Sequence, residues 1–205
     1  MTDPKKDNST FDRKAALRAR TLMLVEKPII LETHGGYGKL FQRCYRHVVE
    51  GVVFEHDPVK AAALAIQRPS WAVYESVCET AIAAGAGAHL EVNFLDCDPW
   101  GEPWPAIEAF FGSDRPFAPK LAVVVNDGLR QKLRMNGGWS VASLHAVVER
   151  LGNSGLYQKY LEVCRNLLVE KSARAGYSLK KWTGYYCGHA GQMTHYAALL
   201  EKTHG

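Results

Sequence analysis

The stretch Pro-Ile-Ile-Leu-Glu-Thr-His-Gly-Gly-Tyr-Gly, residues 28–38, decides how the rest of the chain is interpreted. Its first half is a short apolar run typical of a buried strand, and its second half is a glycine-rich turn. The apolar spacing between Leu40 and Val48 then indicates a helix. Strand, glycine turn and helix in this order bring backbone close to a ligand beside a helix N-terminus. The sequence therefore predicts a ligand site in an α/β fold.

A second apolar run, residues 51–54, ends in an acidic side chain, Glu55. Glu55 lies roughly 20 residues beyond the glycines, at the position where the acid of an α/β nucleotide site accepts hydrogen bonds from ribose hydroxyls. Asp57 is an alternative for that role, but an aspartate directly before Pro58 is more simply a helix cap. The glycine turn does not match the dinucleotide-binding spacing, because no third glycine follows Gly38 three positions later.

The turn Asp98-Pro99-Trp100-Gly101 follows another apolar run, residues 90–95, which is predicted to be a buried strand. A carboxylate there can accept the hydrogens of an amine and leave the nitrogen lone pair free to react. The aromatic ring can stack on a flat substrate such as a base, and proline keeps the turn stiff because its ring fixes φ. These features suit methyl transfer onto an amino nitrogen, whereas Asp-Pro by itself is a common turn that needs no function; the methyl-transfer interpretation depends on a cofactor site upstream.

Taken together, these stretches resemble the Rossmann-like S-adenosylmethionine-dependent methyltransferases. The first motif of that class runs acid-x-Gly-x-Gly-x-Gly, and residues 32–38 fit it with His34 in the first glycine slot. Residues 98–103, Asp-Pro-Trp-Gly-Glu-Pro, are similar to the Asp-Pro-Phe-Gly-Ser-Pro turn of the tRNA guanine N2-dimethyltransferases. They are more loosely similar to the Asp-Pro-Pro-Tyr turn of DNA amino-methyltransferases. The resemblance covers residues 29–205 and includes no counterpart of the tRNA family's additional domain.

The resemblance implies S-adenosyl-L-methionine as the cofactor. The layout of strands and turns, together with the charge pattern for the lysines, then assigns residues to three parts of a site. The expected cofactor-binding residues are Glu32, His34, Gly35, Gly36, Gly38, Glu55 and Glu75. The expected catalytic residues are Asp98, which would orient the amine, and Trp100, which would stack on the base. The expected substrate contacts are Pro99, Lys180 and Lys181, and no metal is expected.

Within the cofactor group, Glu32 and the glycine backbone would meet the methionine end, and Glu55 would accept from both ribose hydroxyls. Glu75 is expected near the adenine, although Ser76 as a helix cap would explain the same place. His34 is either a proton acceptor or a hydrogen-bonding space filler in the turn. Asp96 is expected to be structural, and the turn at residues 126–128 could border the substrate mouth.

The remaining periodicities predict a mostly parallel seven-stranded sheet with helices on both faces and a C-terminal antiparallel hairpin. Further strands are predicted at 71–75, 121–125, 177–186 and 192–200, and helices at 11–25, 59–67, 77–84, 106–111, 141–151 and 156–175. Residues 1–10 are expected to be a mobile N-terminal tail, and residues 11–205 a single methyltransferase domain.

Composition agrees with one domain, since 47% of the 205 residues are hydrophobic. No apolar stretch reaches the ~18 residues of a membrane span, and no signal peptide opens the sequence. The five cysteines are odd in number and widely spaced, which is typical of reduced, mostly buried thiols and predicts a cytoplasmic location.

Charge gives a weak indication of the substrate. The net charge is +4, and residues 171–182 carry cations without an acid, with aromatic residues among or beside them. A second basic cluster lies at residues 130–134. Cations interleaved with aromatic rings suit phosphates and exposed bases, so RNA or DNA is the expected partner. The alternatives are a protein or small-molecule methyltransferase with a lid from residues 1–26, and a non-catalytic, methyltransferase-like partner subunit.

Overall fold

The computed structural model describes residues 10–134 and 142–203. Seven strands and seven helices alternate along most of this length. The strands are β1 (Ile29–Glu32), β2 (Glu50–Glu55), β3 (Ala72–Glu75), β4 (Phe94–Cys97), β5 (Lys120–Asp127), β6 (Tyr177–Cys187) and β7 (Met193–Lys202). The helices are α1 (Phe11–Leu22), α2 (Pro58–Gln67), α3 (Cys78–Ala83), α4 (Trp104–Gly112), α5 (Leu129–Arg134), α6 (Ala142–Gln158) and α7 (Tyr160–Ala173).

The strands form one sheet in the order β3-β2-β1-β4-β5-β7-β6. The pairs among β1 to β5 are parallel, whereas β7 runs antiparallel to both β5 and β6. The chain reverses direction across the sheet between β1 and β4, which is where ligands bind in open α/β sheets. The predicted fold class, with its C-terminal hairpin, is confirmed.

Both faces of the sheet are covered, so neighbouring residues of one strand enter different cores. In β1, Ile30 packs with α1 and α2 on one face, while Leu31 packs with α3, α4 and α7 on the other. The same alternation separates Val123 from Val124 in β5. Nearly continuous apolar strands are therefore what this architecture requires, and they explain why the strands were recognisable in the sequence.

Several predicted boundaries were wrong. The fourth strand begins at Phe94 rather than at residue 90, because Leu90 lies in a bend where its carbonyl accepts from the Val92 amide at 3.0 Å. The expected helix after the glycine turn contains a π-helical segment, Phe41–Tyr45. The break predicted at residues 152–155 is confirmed, because Gly152 is non-helical with φ 67° and ψ 167° inside the segment Ala142–Gln158, and an additional break falls at Lys159.

The predicted tail lies outside the described residues except for Thr10, which is buried immediately before α1. Val141, the predicted start of a helix, also lies outside them. All five cysteines are buried and unpaired, as expected from their spacing. Within residues 10–134 and 142–203, none of the helices is long and apolar enough to cross a membrane.

Candidate active site

A cleft of about 630 Å³ opens at the carboxyl ends of the parallel strands. Its walls include the loop after β1, the end of β2, the start of α3 and the turn after β4. The N-terminal helix α1 adds Phe11 and Lys14 to the same cleft. Of the predicted site residues, the cleft brings together Glu32, His34, Gly35, Gly36, Glu55, Asp98, Pro99 and Trp100.

The glycine loop is held against the ends of β2 and β4 by its backbone. The Thr33 amide donates to the Asp96 carbonyl at 2.9 Å, and the Gly35 amide donates to the Phe54 carbonyl at 2.9 Å. A Cβ on Gly35 would lie 2.5 Å from a methyl group of Leu64 and 2.6 Å from one of Val53. Only glycine therefore allows the loop to pack this closely onto β2 and α2.

Glu55 ends β2 and is 6% exposed. One carboxylate oxygen accepts from the Gly36 amide at 2.8 Å, and the other accepts from the Asp57 amide at 3.0 Å. A carboxylate has about four lone-pair sites, so these two bonds orient Glu55 and leave acceptor capacity toward the cleft. The side chain that was predicted to hold a ribose is thus fixed at the junction of loop and strand.

The neighbouring acids have different environments. Asp57 is the N-cap of α2 and accepts from the amides of Val59 and Lys60, so the helix-cap interpretation is confirmed. Glu75 is exposed at the end of β3 and is not part of the cleft wall, whereas Ser76 is. Ser76 does not cap α3, because the N-cap is Val77 without a side-chain hydrogen bond.

His34 fills the first glycine slot of the motif and is half-buried in the cleft wall. Its Nδ1 lies 2.7 Å from the Thr33 hydroxyl, and its Nε2 lies 3.8 Å from the Cys78 thiol. Burial lowers the pKa of His34, so the ring is neutral at pH 7. These contacts anchor the ring to the loop and to α3, which agrees with the hydrogen-bonding space filler considered from the sequence.

Glu32, the acid of the same motif, is engaged from beneath the cleft by Arg68. One Nη of Arg68 donates to the Glu32 carboxylate, and both side chains are at most 1% exposed. The guanidinium also lies over the rings of Phe41 and Trp71, at 4.3 and 5.1 Å from the centroids. Burial raises the pKa of Glu32 to about 7, against the opposing attraction of Arg68. No pattern in the sequence predicts that Arg68 is the partner of Glu32.

Asp98 is the carboxylate at the opposite side of the cleft. Lys14 of α1 donates to its two oxygens at 2.9 and 3.3 Å, and the Asn126 amide donates to one of them. Burial alone would raise the pKa of Asp98, but the charges of Arg18 and Lys14 hold it below its ordinary value. The carboxylate is therefore ionised at neutral pH and faces an ammonium group.

Asp96 lies two residues earlier and has a structural role, as expected. Arg18 donates two hydrogen bonds to it, at 2.8 and 2.6 Å, and the Tyr45 hydroxyl donates a third at 2.7 Å. Arg18, Asp96 and Tyr45 are fully buried. Because Lys14 and Arg18 are four residues apart, they share one side of α1, and the Arg18–Asp96 pair sets the position of Lys14 over Asp98.

The turn after β4 is closed by two glycines. Gly101 has a φ of 127°, which disfavours any other residue, and its carbonyl accepts from the Gly128 amide at 2.7 Å. A Cβ on Gly128 would lie 3.2 Å from the Gly101 Cα. This contact ties the turn to the end of β5 and leaves Trp100 91% exposed at the cleft mouth.

The predicted basic cluster does not reach the cleft. Lys181 pairs with Leu199, whose other neighbour is Ala122 near the start of β5. The distance along β6 from Lys181 to Cys187, at the end of the strand nearest the cleft, is about 20 Å. Lys180 and Lys181 are exposed there, while Lys171 is buried and paired with Glu108 at 2.9 Å.

The second basic cluster is nearer to the site. It forms α5, directly after β5, where Lys132 and Arg134 are exposed. The Lys132 side chain approaches the Gly101 turn, with its Cε 4.0 Å from where a Cβ of Gly101 would lie. Lys39 and Lys60 also border the cleft. Cations that surround the site are thus spread over several elements rather than gathered in the predicted segment.

Comparison with protein-family models and with curated proteins gives no match. Solved structures do match in fold. Trm1 from Pyrococcus horikoshii, solved with S-adenosyl-L-methionine, superposes with a TM-score of 0.67 at 11% identity over 98% of this chain. The present chain spans 59% of the length of that protein.

Two further structures show the same likeness. The N-methyltransferase NodS from Bradyrhizobium japonicum WM9, in complex with S-adenosyl-L-homocysteine, gives a TM-score of 0.64 at 11% identity, covering 100% of this chain and 94% of NodS. TYW2 from M. jannaschii, in complex with AdoMet, gives 0.52 at 11% identity, covering 93% and 76%. The chain therefore has the Rossmann-like fold of the S-adenosylmethionine-dependent methyltransferases. At an identity of 11%, the likeness concerns the fold alone.

Proposed function

We propose that this protein is an S-adenosylmethionine-dependent N-methyltransferase that acts on a base amino group of RNA or DNA. One observation carries the proposal: a carboxylate in the cleft, Asp98, already accepts hydrogen bonds from an amine nitrogen, the Lys14 ammonium. It shares that cleft with the glycine loop and Glu55. Amine recognition and a nucleoside-type site thus border the same cleft.

The cleft residues fit S-adenosyl-L-methionine. Gly36 has open space where a Cβ would be, so a ligand can approach the loop backbone closely. The Glu55 carboxylate has lone-pair sites beyond the two used by the Gly36 and Asp57 amides, and these could accept hydrogen bonds from two ribose hydroxyls. Glu32 and the loop backbone would meet the methionine end, although Arg68 neutralises part of the Glu32 charge. When bound, the cofactor supplies a methyl group on a positively charged sulfur, which makes it open to attack by a neutral amine.

Asp98 would orient that amine. Its carboxylate accepts an N–H and thereby turns the nitrogen lone pair toward the methyl group, which is a positioning effect rather than chemical activation. Because the pKa of Asp98 is held below its ordinary value, the carboxylate is a poor final holder of a proton. The proton lost by the methylated nitrogen therefore passes on to water. Asn126, which donates to Asp98, would keep the carboxylate in place.

A flat acceptor is favoured by the rings at the cleft mouth. Trp100 is 91% exposed and Tyr37 is 55% exposed, and both belong to the cleft wall. Exposed rings beside Lys39, Lys60 and Lys132 suit a stacked base with neighbouring phosphates. A base within a duplex would have to be flipped out to reach Asp98.

A second candidate, a methyltransferase for a protein or small molecule, is favoured by a different observation. Phe11 and Lys14 of α1 form part of the cleft wall, so the N-terminal segment narrows the acceptor side as the predicted lid would. A non-catalytic partner subunit is less well supported, because His34 leaves the loop packed on β2 through Gly35 and leaves Gly36 open.

The experiment that separates these functions is methyl transfer from labelled S-adenosylmethionine into total RNA, DNA, protein and small-molecule fractions. The proposal expects label in a nucleic-acid fraction, in an N-methylated base, and about 10²- to 10³-fold slower labelling with Asp98→Asn. Label in protein or small molecules supports the second candidate. Absence of donor binding by calorimetry supports the partner subunit and contradicts both catalytic hypotheses.

A further inference from the structure

Lys14 occupies the position on Asp98 that an acceptor amine would take. Its Nζ lies 2.9 Å from one carboxylate oxygen and 3.3 Å from the other, and the side chain belongs to the cleft wall. A primary ammonium donates its N–H groups to the carboxylate in the same way as the amino group of an acceptor would, but it has no lone pair with which to react. The free protein therefore holds an amine of its own at the acceptor site.

The other groups around Asp98 cannot leave as easily. Asn126 is 1% exposed, and Arg18 is fully buried in its double hydrogen bond with Asp96, its nearest nitrogen being 4.0 Å from Asp98. The Lys14 side chain is 22% exposed and ends a flexible four-carbon stem. Of these three groups, Lys14 is the one whose nitrogen can move into solvent, because the other two are buried.

We infer that Lys14 is a placeholder for the acceptor amine: it pairs with Asp98 in the free protein and competes with the substrate for that carboxylate. This inference rests on the proposed function, because it takes Asp98 as the acceptor-binding group. Lys14 keeps the carboxylate ionised and ordered before substrate arrives, and an acceptor has to displace it. The site thereby discriminates against ligands that offer no N–H to Asp98, because they cannot replace the ammonium.

The competition is modest in size. Partly exposed ion pairs contribute less than about 1 kcal/mol, which is at most about a fivefold change in an equilibrium constant. Lys14→Met keeps most of the apolar stem and removes the charge, so we expect it to strengthen amine binding by about two- to fivefold. Lys14→Arg retains the pairing and is the matched control, which should not strengthen it.

The direct test needs neither cofactor nor natural acceptor. The full chain is labelled with ¹³C at aspartate carboxyl carbons, Asp98→Asn assigns the Asp98 signal, and methylammonium is titrated at constant ionic strength. Tetramethylammonium, which has the charge but no N–H, is the matched control probe. We expect methylammonium to shift the Asp98 signal at a two- to fivefold lower concentration in Lys14→Met than in wild type. Tetramethylammonium should leave the signal of both proteins unchanged.

An equal response of wild type and Lys14→Met, or no response of Lys14→Met, overturns the inference. Where transfer to an acceptor is measurable, Lys14→Met should also lower the KM for the acceptor, and a rise in that KM at unchanged donor affinity would make Lys14 a required substrate contact and overturn the inference. A positive titration together with no methyl transfer into any fraction would retain the placeholder and reject the proposed function, so the two failures are distinguishable.

Discussion

The cleft has two halves, the proposed acceptor half around Asp98 and the proposed cofactor half around the glycine loop and Glu55. A buried arginine–carboxylate pair lies beneath each half, and the two pairs differ in how completely they are hydrogen-bonded. Under the acceptor half, Arg18 makes two bonds to Asp96, which also accepts from Tyr45. Under the cofactor half, Arg68 makes one bond to Glu32, while its Nε and its other Nη have no partner among the described residues. Aromatic rings cover the Arg68 guanidinium instead.

The difference shows what each pair does. The Arg18–Asp96 pair joins α1 to β4 and fixes the position of Lys14 over Asp98, so it builds the acceptor half from segments far apart in sequence. The Arg68–Glu32 pair lies below a loop whose shape is already set by backbone hydrogen bonds and by the close packing of Gly35. The acceptor half depends on long-range charges, and the cofactor half depends on local backbone.

The largest expected effect concerns stability. Arg18→Leu leaves Asp96 buried with Tyr45 as its remaining donor, so we expect the free energy of unfolding to fall by about 3–5 kcal/mol. Arg68→Leu should cost less at pH 7, because the raised pKa of Glu32 lets the carboxyl take up a proton when its partner is lost. Urea denaturation measures both values.

The sign of the pH dependence sharpens this comparison. Since protonated Glu32 tolerates burial, Arg68→Leu should lose less stability at pH 6 than at pH 8. Lys120→Ala, which breaks an exposed pair with Glu201, is the control and should change stability by less than about 1 kcal/mol. Equal losses for Arg18→Leu and Arg68→Leu at both pH values would contradict the distinction between the two pairs.

The next effect concerns the cofactor half alone. Glu55→Ala should weaken binding of S-adenosylmethionine by about 30- to 150-fold, because two charge-assisted hydrogen bonds worth about 2–3 kcal/mol are lost. Glu75→Ala is the matched control, since that acid is exposed outside the cleft wall. If calorimetry finds a larger loss of cofactor affinity for Glu75→Ala than for Glu55→Ala, the assignment of the ribose contact to Glu55 is wrong.

What the sequence could predict follows the same division between the two halves. The glycine loop, Glu55, the Asp57 cap and the Asp98 turn lie in contiguous stretches, so their roles in the fold could be inferred from short patterns. The contacts of Lys14 and Arg18 with the β4 end span 84 and 78 residues, and no periodicity predicts such pairing. Lys14 was absent from the expected site for this reason.

The placement of Lys180 and Lys181 was missed for a topological reason. A basic stretch beside aromatic residues predicts an exposed binding surface. Whether that surface lies near the cleft depends on the direction in which the strand runs. Because β7 reverses between β5 and β6, β6 runs in the same direction as β5 and begins at the edge opposite the cleft. Lys180 and Lys181 lie near that start, and only the assembled sheet shows it.

A smaller effect is expected from the ring at the cleft mouth. Trp100→Ala removes a stacking surface worth about 1–3 kcal/mol, so the KM for a nucleic-acid acceptor should rise by about 5- to 150-fold while donor affinity stays constant. Steady-state transfer at saturating donor measures this change. An unchanged KM would mean that the acceptor does not stack on Trp100.

The smallest effect compares the two basic clusters. Each phosphate contact contributes about −0.7 to −0.9 to the slope of log K against log salt. Replacing Lys132 and Arg134 together by alanine should flatten the slope for nucleic acid by about one to two units, more than the double replacement of Lys180 and Lys181. The opposite order would show that nucleic acid extends along β6, and a slope near zero in wild type would remove nucleic acid as the substrate.

The central claim, that Asp98 receives the acceptor amine, is tested most directly by Asp98→Asn in single-turnover transfer from labelled donor. This nearly isosteric change removes the negative charge, so transfer should fall by about 10²- to 10³-fold, the usual size for losing one preorganised electrostatic group. Donor affinity, measured on the same sample by calorimetry, should stay within about twofold. Turnover near the wild-type rate would show that the amine is oriented elsewhere.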